Sequence, residues 1–84
     1  MNYKVLVKLL VPEIEKSYEI YIPINRTVKD VCRLVNELVH DDTSGIFPIK
    51  DDIVLLDRFS TAIYPYDTYI RDTNIRNGSQ IVLI

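Results

Sequence analysis

Cysteine occurs once in this sequence, histidine once and glycine twice, and each scarcity closes off a class of chemistry. One thiol, Cys32, can form neither an intrachain disulfide nor a multi-cysteine zinc site. The lone imidazole, His40, has no serine or cysteine relay built around it, and Asn36 stands one turn before it where a second metal ligand would be needed. Charge of one sign is missing too. Ten Lys and Arg against twelve Asp and Glu leave a net charge of −2, with the cations scattered rather than striped as a nucleic-acid footprint requires. The apolar run from Val5 to Val11 is too short to span a bilayer, and Lys4 and Lys8 interrupt it. It also lacks a small-residue cleavage site. A cytoplasmic chain is expected, with no nucleic-acid partner and no direct membrane insertion.

What is present suits one small globule. Hydrophobic residues make up 48% and charged residues 26% of the 84 positions, so residues 1–84 read as a single domain. A chain of this size buries only about 60–65% of its unfolded surface, and nearly every apolar strand position must serve the core.

Residues 3–11 alternate, with Tyr3, Val5, Val7, Leu9 and Val11 on one face and Lys4, Leu6, Lys8 and Leu10 on the other. Pro12 ends that strand, Glu13 to Lys16 turn the chain, and alternation resumes from Ser17 to Ile22 before Pro23. The spacing predicts a β-hairpin. From Val28 the period changes: Val31, Cys32, Leu34, Val35, Leu38 and Val39 recur at three- and four-residue steps, opposite Lys29, Asp30, Arg33, Asn36 and Glu37. An amphipathic helix over 28–40 follows, started by Thr27 with Asp30 in a capping-box arrangement.

Gly45 and Pro48 stop the helix, and residues 46–52 read as a loop anchored by Ile46 and Phe47. Short strands are expected at Ile53–Leu56, at Ala62–Tyr64 and at Gln80–Ile84. A helical turn falls between Thr68 and Ile75, and Asn77-Gly78 supplies a site tolerant of positive φ. The order β-β-α-β-β-β is an α+β chain with a mixed sheet packed on one main helix, the β-grasp arrangement.

Over nearly its whole length this pattern resembles ubiquitin-like proteins. Thr27-Val-Lys-Asp-Val-Cys-Arg-Leu-Val35 is similar to the start of the ubiquitin helix, and Gly45-Ile46 with Pro48 to the connection after it. Tyr18-Glu-Ile-Tyr-Ile-Pro23, running into a valine-rich helix, and the ending Asn74-Ile-Arg-Asn-Gly-Ser-Gln-Ile-Val-Leu-Ile84 resemble the bacterial YukD/EsaB type. That resemblance implies a small accessory of a Gram-positive type VII (WXG100) secretion system, working by protein–protein contact without a cofactor or a catalytic step.

Ubiquitin and the sulfur carriers use a flexible C-terminal Gly-Gly that threads into an adenylating enzyme. Here the sequence given closes on Ile81-Val82-Leu83-Ile84 in the expected last strand, with Gly45 and Gly78 elsewhere. A non-conjugating module is therefore expected; a sulfur carrier, a protein modifier or an excised scaffold domain are the alternatives.

The other candidates have plain structural readings. Cys32 falls on the core side of the helix, where cysteine acts as a small hydrophobe. His40 is expected on the polar edge. Asp41-Asp42 and Asp51-Asp52 flank one loop without calcium-loop spacing, which suits solvated loop ends. Tyr64 and Tyr66, interleaved with Pro65, are either partner anchors or hairpin packing. On the sheet, period two turns Leu6 and Leu10, Val54, and Val82 with Ile84 away from the helix, and Leu6, Val54 and Val82 are expected to cluster. By resemblance this is where ubiquitin presents its apolar docking surface, with Val54 and Ile84 on matching positions and Lys4 and Lys8 at the rim. A protein partner, or a homodimer seam, is expected there.

Overall fold

In the computed structural model, which describes residues 3–84, the hairpin is built from β1 (Lys4–Val11) and β2 (Lys16–Pro23). Pro12 starts a single 3-10 turn through Ile14, and Glu15 closes it at φ 53°. Helix α1 (Val28–Asp42) follows, then the short β3 (Leu55–Asp57), a 3-10 turn at Ile70–Asp72 and β4 (Gln80–Leu83). The sheet order is β2-β1-β4-β3, with β1 and β4 parallel and the other pairs antiparallel. One helix crossing such a mixed four-stranded sheet is the β-grasp, ubiquitin-like fold.

The helix begins where capping chemistry puts it. Thr27 is extended, and its Oγ1 accepts from the Asp30 N–H at 3.2 Å. It ends two residues later than expected, where the Gly45 N–H donates to His40 O at 2.8 Å with Gly45 at φ 87°. Val28, Val31, Cys32, Val35 and Val39 pack on Val7, Leu9, Val11, Ile81 and Leu83 to form the core. Valines are poor helix formers, so this contact with the sheet is what holds α1.

Several expectations need correction. Leu34 and Leu38 are 50% and 39% exposed rather than buried. They lie on the flank of α1 that overhangs β2, where the sheet ends and offers nothing to cover them. Asn36, assigned to the solvent face, is buried: its Nδ2 donates to Pro48 O and its Oδ1 accepts from the Lys50 N–H, both at 2.9 Å. The loop thus covers the opposite flank of the helix. Within that loop Phe47 is the anchor, fully buried, while Ile46 is 78% exposed.

The segment 62–64 forms no strand. Leu56 and Ile63 make one isolated bridge, and the Tyr64 N–H donates to Leu55 O at 2.9 Å. Asp57 causes this: its Oδ1 accepts from the N–H groups of Phe59 and Ser60 at 2.7 and 3.1 Å. The chain is thereby turned too tightly for a longer ladder, and Pro65 ends it. Likewise β3 starts at Leu55 rather than Ile53, and β4 stops at Leu83.

Candidate protein-interaction face

The sheet surface turned away from α1 is organised by its register. Leu10 lies opposite Val82, and Val82 lies opposite Leu56, so three apolar residues form one row across β1, β4 and β3. The bridge to Ile63 extends that row. The neighbouring row is Ile84 with Val54, whose backbones exchange hydrogen bonds of 3.0 and 3.1 Å. Leu10, Val54, Leu56 and Val82 are half-buried, flanked by the more exposed Ile84 (49%) and Ile63 (61%). Together they form a contiguous, partly exposed apolar surface, which makes this face the candidate interaction site.

A polar row bounds the patch on one side. Glu19 is opposite Lys8, Lys8 opposite Gln80, and Gln80 O accepts from the Arg58 N–H at 3.2 Å. Arg58 Nη1 also donates to Gln80 Oε1, and its guanidinium stands 5.6 Å from the Phe59 ring centroid. This row separates Leu6 from the patch. Leu6 lies about 13 Å along β1 from Leu10. Its backbone is tied to the 77–78 turn, the N–H to Asn77 Oδ1 and the carbonyl to the Gly78 N–H, each at 2.8 Å. The expected Leu6, Val54 and Val82 cluster is therefore replaced by one in which Leu10 and Leu56 take the place of Leu6. Lys8 rims it as expected; Lys4 shares the Leu6 end. Leu56 was legible by period two from Val54, whereas Ile63 required knowledge of the bridge.

The two tyrosines part company. Tyr64 is buried, not a surface anchor: its hydroxyl donates to Asn74 Oδ1 at 2.7 Å and lies 3.4 Å from Asp57 Oδ2. Burial, reinforced by the Asp57 charge, pushes that phenol up to about 12. The backbone N–H groups of Phe59 and then Ser60 hold the Asp57 carboxyl below its ordinary value. Tyr66 is 39% exposed on the helix side, and its hydroxyl donates to Ile53 O. It lines a cleft of about 380 Å³ with Lys29, Cys32, Asn36 and Ile53. Cys32 itself is buried, and burial pushes its thiol up to about 11.

His40 is half-buried rather than exposed, because its Nδ1 donates to Phe47 O at 2.8 Å and helps Asn36 fasten the loop. Asp42 accepts from the Tyr18 hydroxyl at 2.7 Å and Lys16 Nζ at 3.4 Å. Among the described residues no three His, Cys, Asp or Glu side chains are grouped to hold a metal ion. No helix among them is long and apolar enough to cross a membrane.

No family model matches this chain and no curated protein matches it. Solved structures do. The N-terminal ubiquitin-like domain of the 4931431F19Rik protein superposes with a TM-score of 0.77 at 15% identity, covering 100% of this chain and 76% of that one. The ubiquitin-like domain of an Arabidopsis thaliana protein gives 0.71 at 19% identity, covering 99% and 78%. A chain of an ESX-5 inner membrane complex gives 0.81 at 12% identity, covering 99% of this chain and 21% of that one. At these identities the likeness is one of fold.

Proposed function

We propose that this protein is a ubiquitin-like interaction module that captures a protein partner on the Leu10, Leu56 and Val82 face, as a cytoplasmic accessory of a type VII secretion system. The observation that carries the reading is the unbroken apolar row across three strands, continued by Val54 and Ile84 and bordered by Lys8 and Arg58. The fold of the ESX-5 chain supports the secretion context, since a β-grasp domain of this shape occurs within that membrane assembly. The reading assigns recognition and no catalytic step.

A carrier or modifier is the competing reading, and it needs a mobile segment beyond Ile84, whose backbone is bonded to Val54. Intact mass spectrometry of the native product separates the two, because a carrier shows added residues or a thiocarboxylate. The direct test is titration of the protein against cytosolic segments of the secretion system's inner-membrane components. Binding that is lost with Val54→Asp, at unchanged far-UV dichroism, supports docking on this face; binding that Val54→Asp leaves intact overturns it.

A further inference from the structure

Strand β2 is the uncovered edge of the sheet. Lys8 N–H donates to Ser79 O and Leu6 O accepts from the Gly78 N–H, so the even β1 residues bond toward β4. The odd ones bond toward β2, and alternation leaves Ser17, Glu19 and Tyr21 with their N–H and C=O groups pointing outward. Among the described residues none of these groups has a partner. The opposite edge differs, because β3 is met by the 62–64 segment. An eight-residue edge strand with open backbone groups is a template for another strand.

Two further features say which strand fits. Leu34 and Leu38, one turn apart, are exposed on the flank of α1 that overhangs β2. The Asp42–Tyr18 hydrogen bond sets helix residue 42 level with strand residue 18. Four helical residues rise about 6 Å, nearly the rise of two strand residues, so Leu38 stands level with Ile20. The groove between them is also polarised. Its Pro23 end is lined by Lys4, Arg26 and Arg33 against Asp30 and Glu37. Its Lys16 end carries Glu13, Asp42 and the exposed Asp41 against two lysines, Lys16 paired with Asp42 at 3.4 Å and Lys50 with Glu13 at 3.2 Å.

We propose that the chain forms a two-fold dimer in which β2 pairs antiparallel with β2 of a second copy. Antiparallel pairing lays the cationic end of one groove along the acidic end of the other, and a closed two-fold contact needs such self-complementarity. With Ile20 on the axis, Glu19 lies beside Tyr21 of the second copy. Ser17 then meets Pro23, which has no N–H and contributes its carbonyl. The overlap runs from Ser17 to Pro23, and Leu38 meets its own copy above the seam. Placing Glu19 on the axis opposes two carboxylates, and placing Tyr18 there shortens the overlap. This dimer uses an edge distinct from the apolar face assigned to the partner and does not rest on that assignment.

Sedimentation velocity of the full chain over a concentration series tests it. The expected result is a concentration-dependent dimer, weakened by added salt. Leu38→Glu and Glu19→Pro should each weaken it by about tenfold or more, with far-UV dichroism retained, while Leu56→Asp leaves it unchanged. A chain that stays monomeric up to about 1 mM overturns the proposal. So does a dimer that survives both edge variants or is broken by Leu56→Asp instead. A monomer whose β2 edge instead takes an extended peptide from another protein overturns the second copy as its occupant.

Discussion

Val54 and Ile84 exchange two backbone hydrogen bonds, of 3.0 and 3.1 Å, just outside the three-residue ladder between β3 and β4. The exchange does two things. It extends the ladder so that two further side chains join the outward apolar face beside Leu56 and Val82. It also ties the backbone at Ile84 into the sheet beside β3.

The register distinguishes two leucines on the same strand face. Leu10 and Leu56 share a row through Val82, whereas Leu6 lies beyond the row of Glu19, Lys8, Gln80 and Arg58. Leu56→Asp is expected to weaken partner binding by at least about 2 kcal/mol, the loss typical of a central anchor, while Leu6→Lys changes it by less than about 0.5 kcal/mol. Calorimetric titration of both variants reads the difference. Equal losses would mean that the contact surface runs across the charged row.

Asn36 is the buried clasp between α1 and the loop after it. Asn36→Ala leaves Pro48 O and the Lys50 N–H without their partners at 2.9 Å, in a part-buried contact. Urea unfolding should show a loss of about 2–3 kcal/mol. An effect under about 0.5 kcal/mol would mean that the loop is held by Phe47 and His40 alone.

The sequence carried some of this plainly and hid the rest for identifiable reasons. Alternation in β1 and β2 and the 3.6 period of α1 each report a single local geometry, and these elements form where the pattern put them, with ends shifted by one or two residues. Leu34 and Leu38 defeated the pattern because a helical stripe says which side is apolar, not how wide the sheet beneath it is. Asn36 defeated it because its partners lie in a loop 12 and 14 residues away. The apolar face was half legible. The inward and outward assignments followed from period two, but the neighbours across strands depend on register, and register placed Leu10 rather than Leu6 beside Val82.

Acid should act on two carboxylates. The Tyr18 hydroxyl first, and Lys16 second, hold Asp42 below its ordinary 3.8, and the Phe59 and Ser60 N–H groups do the same for Asp57. A carboxyl whose folded pKa is depressed adds stability that is present above its unfolded pKa. That stability is lost as pH falls through the folded value. Stability should therefore decline below about pH 4. Tyr18→Phe and Asp57→Asn should each flatten that acid limb in urea titrations between pH 2 and pH 6. An unchanged limb in both variants would place the acid sensitivity elsewhere.

Cys32 titrates in the other direction. Burial raises its thiol from 9.0 to about 11, so the folded state favours the neutral form. Its contribution is intact below the unfolded pKa and disappears as pH rises from about 9 through about 11. At pH 8 the native thiol should react with an aromatic disulfide about a hundredfold or more slower than the urea-unfolded chain. Comparable rates would mean that α1 opens locally from the sheet.

Thr61 holds a β-branched side chain at φ 60°, in the tight turn that Asp57 organises. Its N–H donates to Asp57 O at 2.9 Å, so the turn keeps the strained backbone in place. A left-handed conformation costs an ordinary residue about 1–2 kcal/mol, and glycine escapes that cost. Glycine in turn gives the unfolded chain more freedom, which offsets about 0.5–1 kcal/mol of the gain. Thr61→Gly should therefore stabilise the fold by roughly 0.5 kcal/mol. Thr61→Asn should match or exceed it, because asparagine tolerates this region without the added chain entropy. Thr61→Ala retains a Cβ and should give no gain. Thermal unfolding of the three variants side by side decides it: if alanine stabilises as much as glycine, the left-handed backbone is not what limits this turn.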